Sequence, residues 1–109
     1  MTTPKQRGTA FEYYVLYILK KYFPLSYRVP VSGASQGMKG DIVAGDFLIE
    51  CKKTLCDSIR IRKLWLQKIV SEAKRAGKIP ALVFSLNRTE PFIILPLRTF
   101  LDLIKSRKA

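Results

Sequence analysis

Histidine is absent from the 109 residues. With it go imidazole general bases, Ser-His-Asp triads, His-ligated zinc and His-metal nucleases. Cysteine is scarce: Cys51 and Cys56 have no C-x-x-C spacing and no further Cys to complete a zinc site, so two reduced thiols are expected. The longest unbroken apolar run extends only from Tyr13 to Leu19, with Glu12 before it and Lys20 and Lys21 behind. A bilayer-spanning helix needs about 20 such residues, so no membrane association is expected. No small-residue cleavage site follows that run, which argues against a secretory signal and for a cytoplasmic protein. Six Gly and six Pro are too few for a disordered or fibrous chain. Acids are the remaining shortage: eight Asp and Glu stand against twenty Lys and Arg, a net charge of +12. That surplus is the footprint of a partner carrying phosphates, nucleic acid first of all. An anionic membrane surface would call for a long basic amphipathic helix with a wide apolar face, which is missing.

What is present is globular: 48% hydrophobic and 11% aromatic residues. One domain over residues 1–109 can bury its own core, since unaided folding becomes difficult only below ~40 residues. Thr3, Pro4 and Gln6 form an N-cap, a first-turn proline and a capping-box partner. Phe11, Val15, Ile18, Leu19 and Tyr22 then recur at helical spacing, predicting a helix over 4–22. Residues 27–31 read as a short edge strand, because Pro30 cannot donate to a ladder. Residues 32–40 hold three glycines without periodicity and read as a loop. Two β-rich runs, 41–44 and 47–52, flank Gly45-Asp46 as a hairpin. Residues 58–61 extend the sheet or form a turn. A helix follows over 63–76, with Leu66, Ile69, Val70 and Ala73 on one face and Gly77 as its stop. Strands over 80–86 and 92–95 and a closing helix over 98–105 complete an α-β-β-β-α-β-β-α order.

Side chains alternate across a strand, so Leu48, Glu50 and Lys52 share one face while Phe47, Ile49 and Cys51 share the other. A carboxylate ending the run Phe47-Leu48-Ile49 is costly unless cations or hydrogen bonds compensate it. The hairpin returns Asp41 to the same strand end. Two carboxylates with a backbone oxygen suit Mg²⁺, with Mn²⁺ as a substitute, because these ions favour oxygen ligands. In a basic chain such an acidic pocket points to a metal that bridges protein and phosphate. The competing reading is a solvated Glu50–Lys52 ion pair and an Asp41 that merely starts a strand.

On these residues the sequence resembles the PD-(D/E)XK nuclease superfamily and, more narrowly, the archaeal-type Holliday junction resolvases. The likeness runs from Arg7 to about Leu86. It is carried by Arg7-Gly8-Thr9-Ala10-Phe11-Glu12, Ser32-Gly33-Ala34-Ser35, Gly40-Asp41 and Glu50-Cys51-Lys52. Two departures stand out: Gly40 replaces the proline that usually precedes the aspartate, and the hairpin between Asp41 and Glu50 is short.

The resemblance implies an α/β fold with a restriction-endonuclease-like core, a mixed central β-sheet flanked by helices in αβββαβ order. It implies a Mg²⁺-dependent endodeoxyribonuclease that resolves four-way DNA junctions by paired symmetric nicks, as a homodimer whose two-fold axis matches the two cuts. By the same resemblance Asp41, Glu50 and the Cys51 carbonyl hold the metal, Glu12 reaches in from the first helix, and Lys52 orients the attacking water. Glu12 is otherwise the N3 residue of a Thr9 capping box. Ser32 contacts a phosphate or only turns the chain. Arg7, Lys39, Lys63 and Lys68 are the expected phosphate contacts. Trp65, on the helix face with Lys68, Glu72 and Arg75, reads as an interface or edge-of-core residue, and Gln67 as part of a solvated stripe with Lys63 and Lys74. A nuclease acting on another DNA substrate, or a basic binding module with structural carboxylates, are the alternatives.

Overall fold

The computed structural model describes residues 3–30 and 40–108. Helix α1 (Pro4–Leu19) starts where its capping chemistry dictates: Gln6 N–H donates to Thr3 Oγ1 at 3.1 Å, and Thr3 N–H donates to Gln6 Oε1 at 2.8 Å. Thr9 is therefore mid-helix, and a capping role for Glu12 falls away. The helix stops three residues short of Tyr22. Phe23 N–H bends back to the Leu19 carbonyl at 2.7 Å, and the Phe23 ring packs against the core beside Gly45. Tertiary packing of one ring thus overrides the helical spacing of Tyr22.

Strand β1 (Tyr27–Arg28) pairs antiparallel with β2 (Ile42–Ala44), which forms a hairpin with β3 (Phe47–Lys53). β1 is shorter than the five residues expected, and its last ladder-type bond runs from Val29 N–H to the Asp41 carbonyl. Pro30, with no N–H, follows at once. The hairpin turns through Gly45, whose φ of 57° lies in the left-handed region that an L side chain resists. From β3 the chain crosses over through α2 (Lys63–Ala76) to β4 (Ile79–Ser85), which lies parallel to β3 in register Glu50↔Leu82. Strand β5 (Phe92–Ile94) returns antiparallel to β4, and α3 (Leu97–Lys108) closes the chain. The sheet order is β1-β2-β3-β4-β5, so β3 is central. Residues 58–61 join no strand; they belong to an irregular connection that leads into α2.

The sheet is buried from both sides. Ile42, Ala44, Ile49, Ala81 and Val83 pack under Phe11 and Val15 of α1, while Val29, Val43 and Leu48 pack under Ile69 and Ala73 of α2. α2 meets the sheet through most of the expected stripe, Val70 excepted. Ile69, Glu72 and Ala73 are buried and Trp65 is half-buried, whereas Val70 is exposed. Ile69 and Ala73 carry the packing on the sheet, with Leu66 half-buried beside them, while Lys68 stays exposed. No described helix is long and apolar enough to cross a membrane.

Candidate active site at the end of the central strand

β3 outruns β2 at its C-terminal end, and that difference in length creates the site. The β2–β3 pairing ends at Ile42↔Ile49, with one more bond from Asp41 N–H to the Ile49 carbonyl at 2.8 Å. Two residues on, Cys51 N–H has the same direction but no strand to meet. It donates instead to Asp41 Oδ2 at 2.7 Å, which fixes that carboxylate on the strand end. The Cys51 carbonyl points to this same side, because backbone groups of alternate residues face the same neighbour.

Glu50 lies on the α2 side of the sheet, its side chain only 11% exposed. Its Oε2 is 3.7 Å from Lys52 Nζ and its Oε1 is 4.0 Å from Lys68 Nζ. Lys52 Nζ in turn sits 4.5 Å from the centre of the Trp65 ring. The alternation argument for Glu50 and Lys52 therefore holds, with a second lysine from α2 added. Lys53 goes the other way: its Nζ lies 5.8 Å over the Phe11 ring and 3.3 Å from Ser85 Oγ.

Electrostatics single out Asp41. Burial and the adjacent Glu50 charge raise its carboxyl from the ordinary 3.8 to about 6, against the opposing pull of the Cys51 N–H and Lys52. Asp41, raised by the Glu50 charge beside it, and Glu50 are a pair of hard oxygen donors, and their chemistry fits a divalent cation. The Cys51 thiol is pushed up by burial and by Asp41, Glu12 and Glu50, so it remains a neutral packing group on the α1 side.

Glu12 departs from the expected arrangement. Arg28 binds its Oε1 twice, from Nη2 at 2.8 Å and from Nε at 3.0 Å, and burial raises its carboxyl overall. Among the described residues, no group of three or more acids, cysteines or histidines converges tightly enough to hold a metal. The reason is the pleat: Glu50 faces α2, whereas Glu12 approaches from α1. Arg28 occupies Oε1, and the Asp41 charge still contributes to raising the Glu12 carboxyl.

The expected DNA contacts are scattered. Lys68 is in the site, at Glu50. Arg7 lines a surface cavity with Phe11, Tyr14 and Lys53 on the α1 side. Lys63 is exposed at the start of α2. Ser32 and Lys39 lie outside the described residues. Sequence reasoning missed Arg28 and Trp65 as neighbours of the site. For Trp65 the signal was its three-residue spacing from Lys68; for Arg28 there was none, because its partner is 16 residues away. Glu72 is buried with Oε1 lacking a hydrogen-bond partner.

Residues 3–108 match the family described as "Phage putative PDDEXK endonuclease". The chain belongs to this endonuclease family. No curated protein matches it. Among solved structures, the endonuclease is similar to Archaeoglobus fulgidus Hjc, a Holliday junction resolvase from an archaeal hyperthermophile. The TM-score is 0.65 at 26% identity, over 82% of this chain and 75% of that one. The fold is thereby the restriction-endonuclease-like one. It places Asp41, Glu50 and Lys52 at the end of the central strand.

Proposed function

We propose that the endonuclease is a Mg²⁺-dependent resolvase of four-way DNA junctions that works as a homodimer. The observation that carries this reading is the joint placement of Asp41, Glu50 and Lys52 at one strand end, in a chain 26% identical to a junction resolvase. Asp41, Glu50 and the Cys51 carbonyl would hold the metal. When bound, a divalent cation supplies Lewis acidity, polarising a phosphoryl oxygen and acidifying water.

The chain's own residues do the positioning. Cys51 N–H fixes the Asp41 carboxylate. Lys52, held between Glu50 and the Trp65 ring, orients the attacking water and offsets the charge that grows on the phosphate. Lys68 neutralises Glu50 on its other side and admits a polyanion past a carboxylate. Glu12 and Arg28 form a neutralised pair at the α1 side, from which Arg28 can turn to a phosphate.

Dimerisation is supported by α3, whose Leu97, Phe100, Leu101 and Ile104 are 72%, 49%, 54% and 38% exposed. Those residues follow i, i+3, i+4, i+7 spacing, an apolar stripe of the kind that pairing of two copies covers. A two-fold pair presents two sites to strands related by the same symmetry.

The family description names an endonuclease and no junction, which favours cleavage of another DNA substrate as the competing reading. A competition assay separates the two. With labelled junction and a large excess of linear duplex of the same sequence, a resolvase keeps cutting the junction. Suppression in proportion to the competitor would leave a nuclease without junction preference.

A further inference from the structure

The outer face of α1 has no part in the site described above. Tyr13, Tyr14 and Tyr17 are 56%, 51% and 66% exposed, although Tyr commonly buries most of its ring. At 3.6 residues per turn the three fall within roughly 100° of arc, and the basic pair Lys20 and Lys21 follows directly at the end of the helix. Glu12, the one acid of α1, lies outside that arc and is occupied by Arg28. Cations already accompany the rings: Lys21 Nζ is 5.1 Å from the Tyr17 centroid and the Arg28 guanidinium 4.4 Å from that of Tyr13. The face also adjoins the reaction site, because Arg28 pairs with Ile42, the residue after Asp41.

We propose that this face binds unpaired nucleobases of the DNA substrate, Tyr14 and Tyr17 stacking on the bases and Lys20 and Lys21 meeting the flanking phosphates. Exposed aromatic rings interleaved with cations are the combination that holds single-stranded nucleic acid without reading its sequence. Duplex bases are stacked on one another and leave a phenol ring nothing to cover. A second copy of this chain is a poor occupant, since facing two such surfaces would oppose lysines with no acid between them. The inference rests on the reading of the protein as a DNA enzyme and adds where distorted or branched DNA is gripped beside the scissile phosphate.

The test is fluorescence anisotropy in EDTA with two labelled probes, an oligothymidylate strand and a strand of equal length lacking its bases. Wild type should bind the base-bearing strand about 25-fold more tightly. Tyr14→Ala or Tyr17→Ala should each remove ~5-fold or more of that preference, the scale of one lost stacking contact. Tyr17→Phe should retain it, and Tyr17→Leu, which keeps apolar bulk, should not. Lys20→Ala and Lys21→Ala should weaken both probes alike, each lowering the salt slope by about 0.7. Equal affinity of wild type for the two probes would overturn the proposal. So would an unchanged preference in folded Tyr14→Ala and Tyr17→Ala proteins, or a change in sedimenting mass in place of affinity, which would mark a self-association surface. A wild type that fails to cut in Mg²⁺ yet prefers the base-bearing strand would sink the nuclease reading and leave this surface standing.

Discussion

Lys52 and Lys53 are adjacent in sequence and opposite in placement, because the pleat sends one to Glu50 and the other to Phe11. Lys52→Ala should lower the cleavage rate by ~10²–10³, the scale of losing one preorganised electrostatic group, without unfolding the protein. Lys53→Ala should act on DNA affinity instead, and single-turnover rates at saturating protein separate the two. Equal rate losses would place both lysines outside the roles argued here. Asp41 yields a second expectation, in EDTA. Between pH 3.8 and about 6 the folded chain keeps a proton on Asp41 that the unfolded chain has released. Stability therefore falls as pH rises through that window and levels off above it, by about 3 kcal/mol in all. Urea unfolding from pH 4 to 7 should show the fall in wild type and a flatter profile in Asp41→Asn. Parallel profiles would assign the slope to other groups. The Asp41, Glu50 and Lys52 arrangement was legible in the sequence because period-two alternation and a two-residue turn leave little freedom. Arg28 was not, since a contact 16 residues apart depends on how α1 lies across β1.

At the scale of elements, the hairpin and the α2 crossover position the strand end, and both depend on close packing. Gly40 has no room for more: a Cβ there would lie 2.7 Å from Leu48 Cγ and 3.3 Å from Ile69 Cδ1. Leu48 is fully buried, so it has little scope to yield. Gly40→Ala should cost about 1–3 kcal/mol by overpacking and displace the neighbouring Asp41, lowering the rate as well as the melting temperature. Gly45→Ala should destabilise through its positive φ and the Phe23 ring at 2.8 Å, while leaving the rate of the folded protein intact. A Gly40→Ala protein with wild-type rate would detach site geometry from this packing. Element types and order were all readable from periodicity, capping and turn residues. The ends were less so: α1 stops early because Phe23 turns inward, and β1 is cut to two residues by Pro30. On α2 the burial of Glu72 and the exposure of Val70 escaped, because a charged residue next to Ala73 and an apolar one next to Ile69 give no sign of which of them turns inward.

The whole molecule is a polycation with a small acidic notch. A net charge of +12 implies several neutralised phosphates, each contributing roughly −0.9 to the slope of log affinity against log salt on duplex arms. A shallow slope in EDTA would mean that most of the charge lies off the binding surface. The α1 and α2 layers flank the strand end that carries this notch. The most direct measurement is cleavage of an immobile four-way junction, each strand end-labelled in turn, with Mg²⁺ or EDTA, by wild type and Glu50→Gln. Wild type in Mg²⁺ should nick two opposing strands at symmetric positions near the crossover. Glu50→Gln should bind the junction and leave it whole, and EDTA should abolish cutting by wild type. Cleavage that persists in EDTA, or a Glu50→Gln protein that cuts at the wild-type rate, would contradict a metal-dependent site built on Asp41, Glu50 and Lys52.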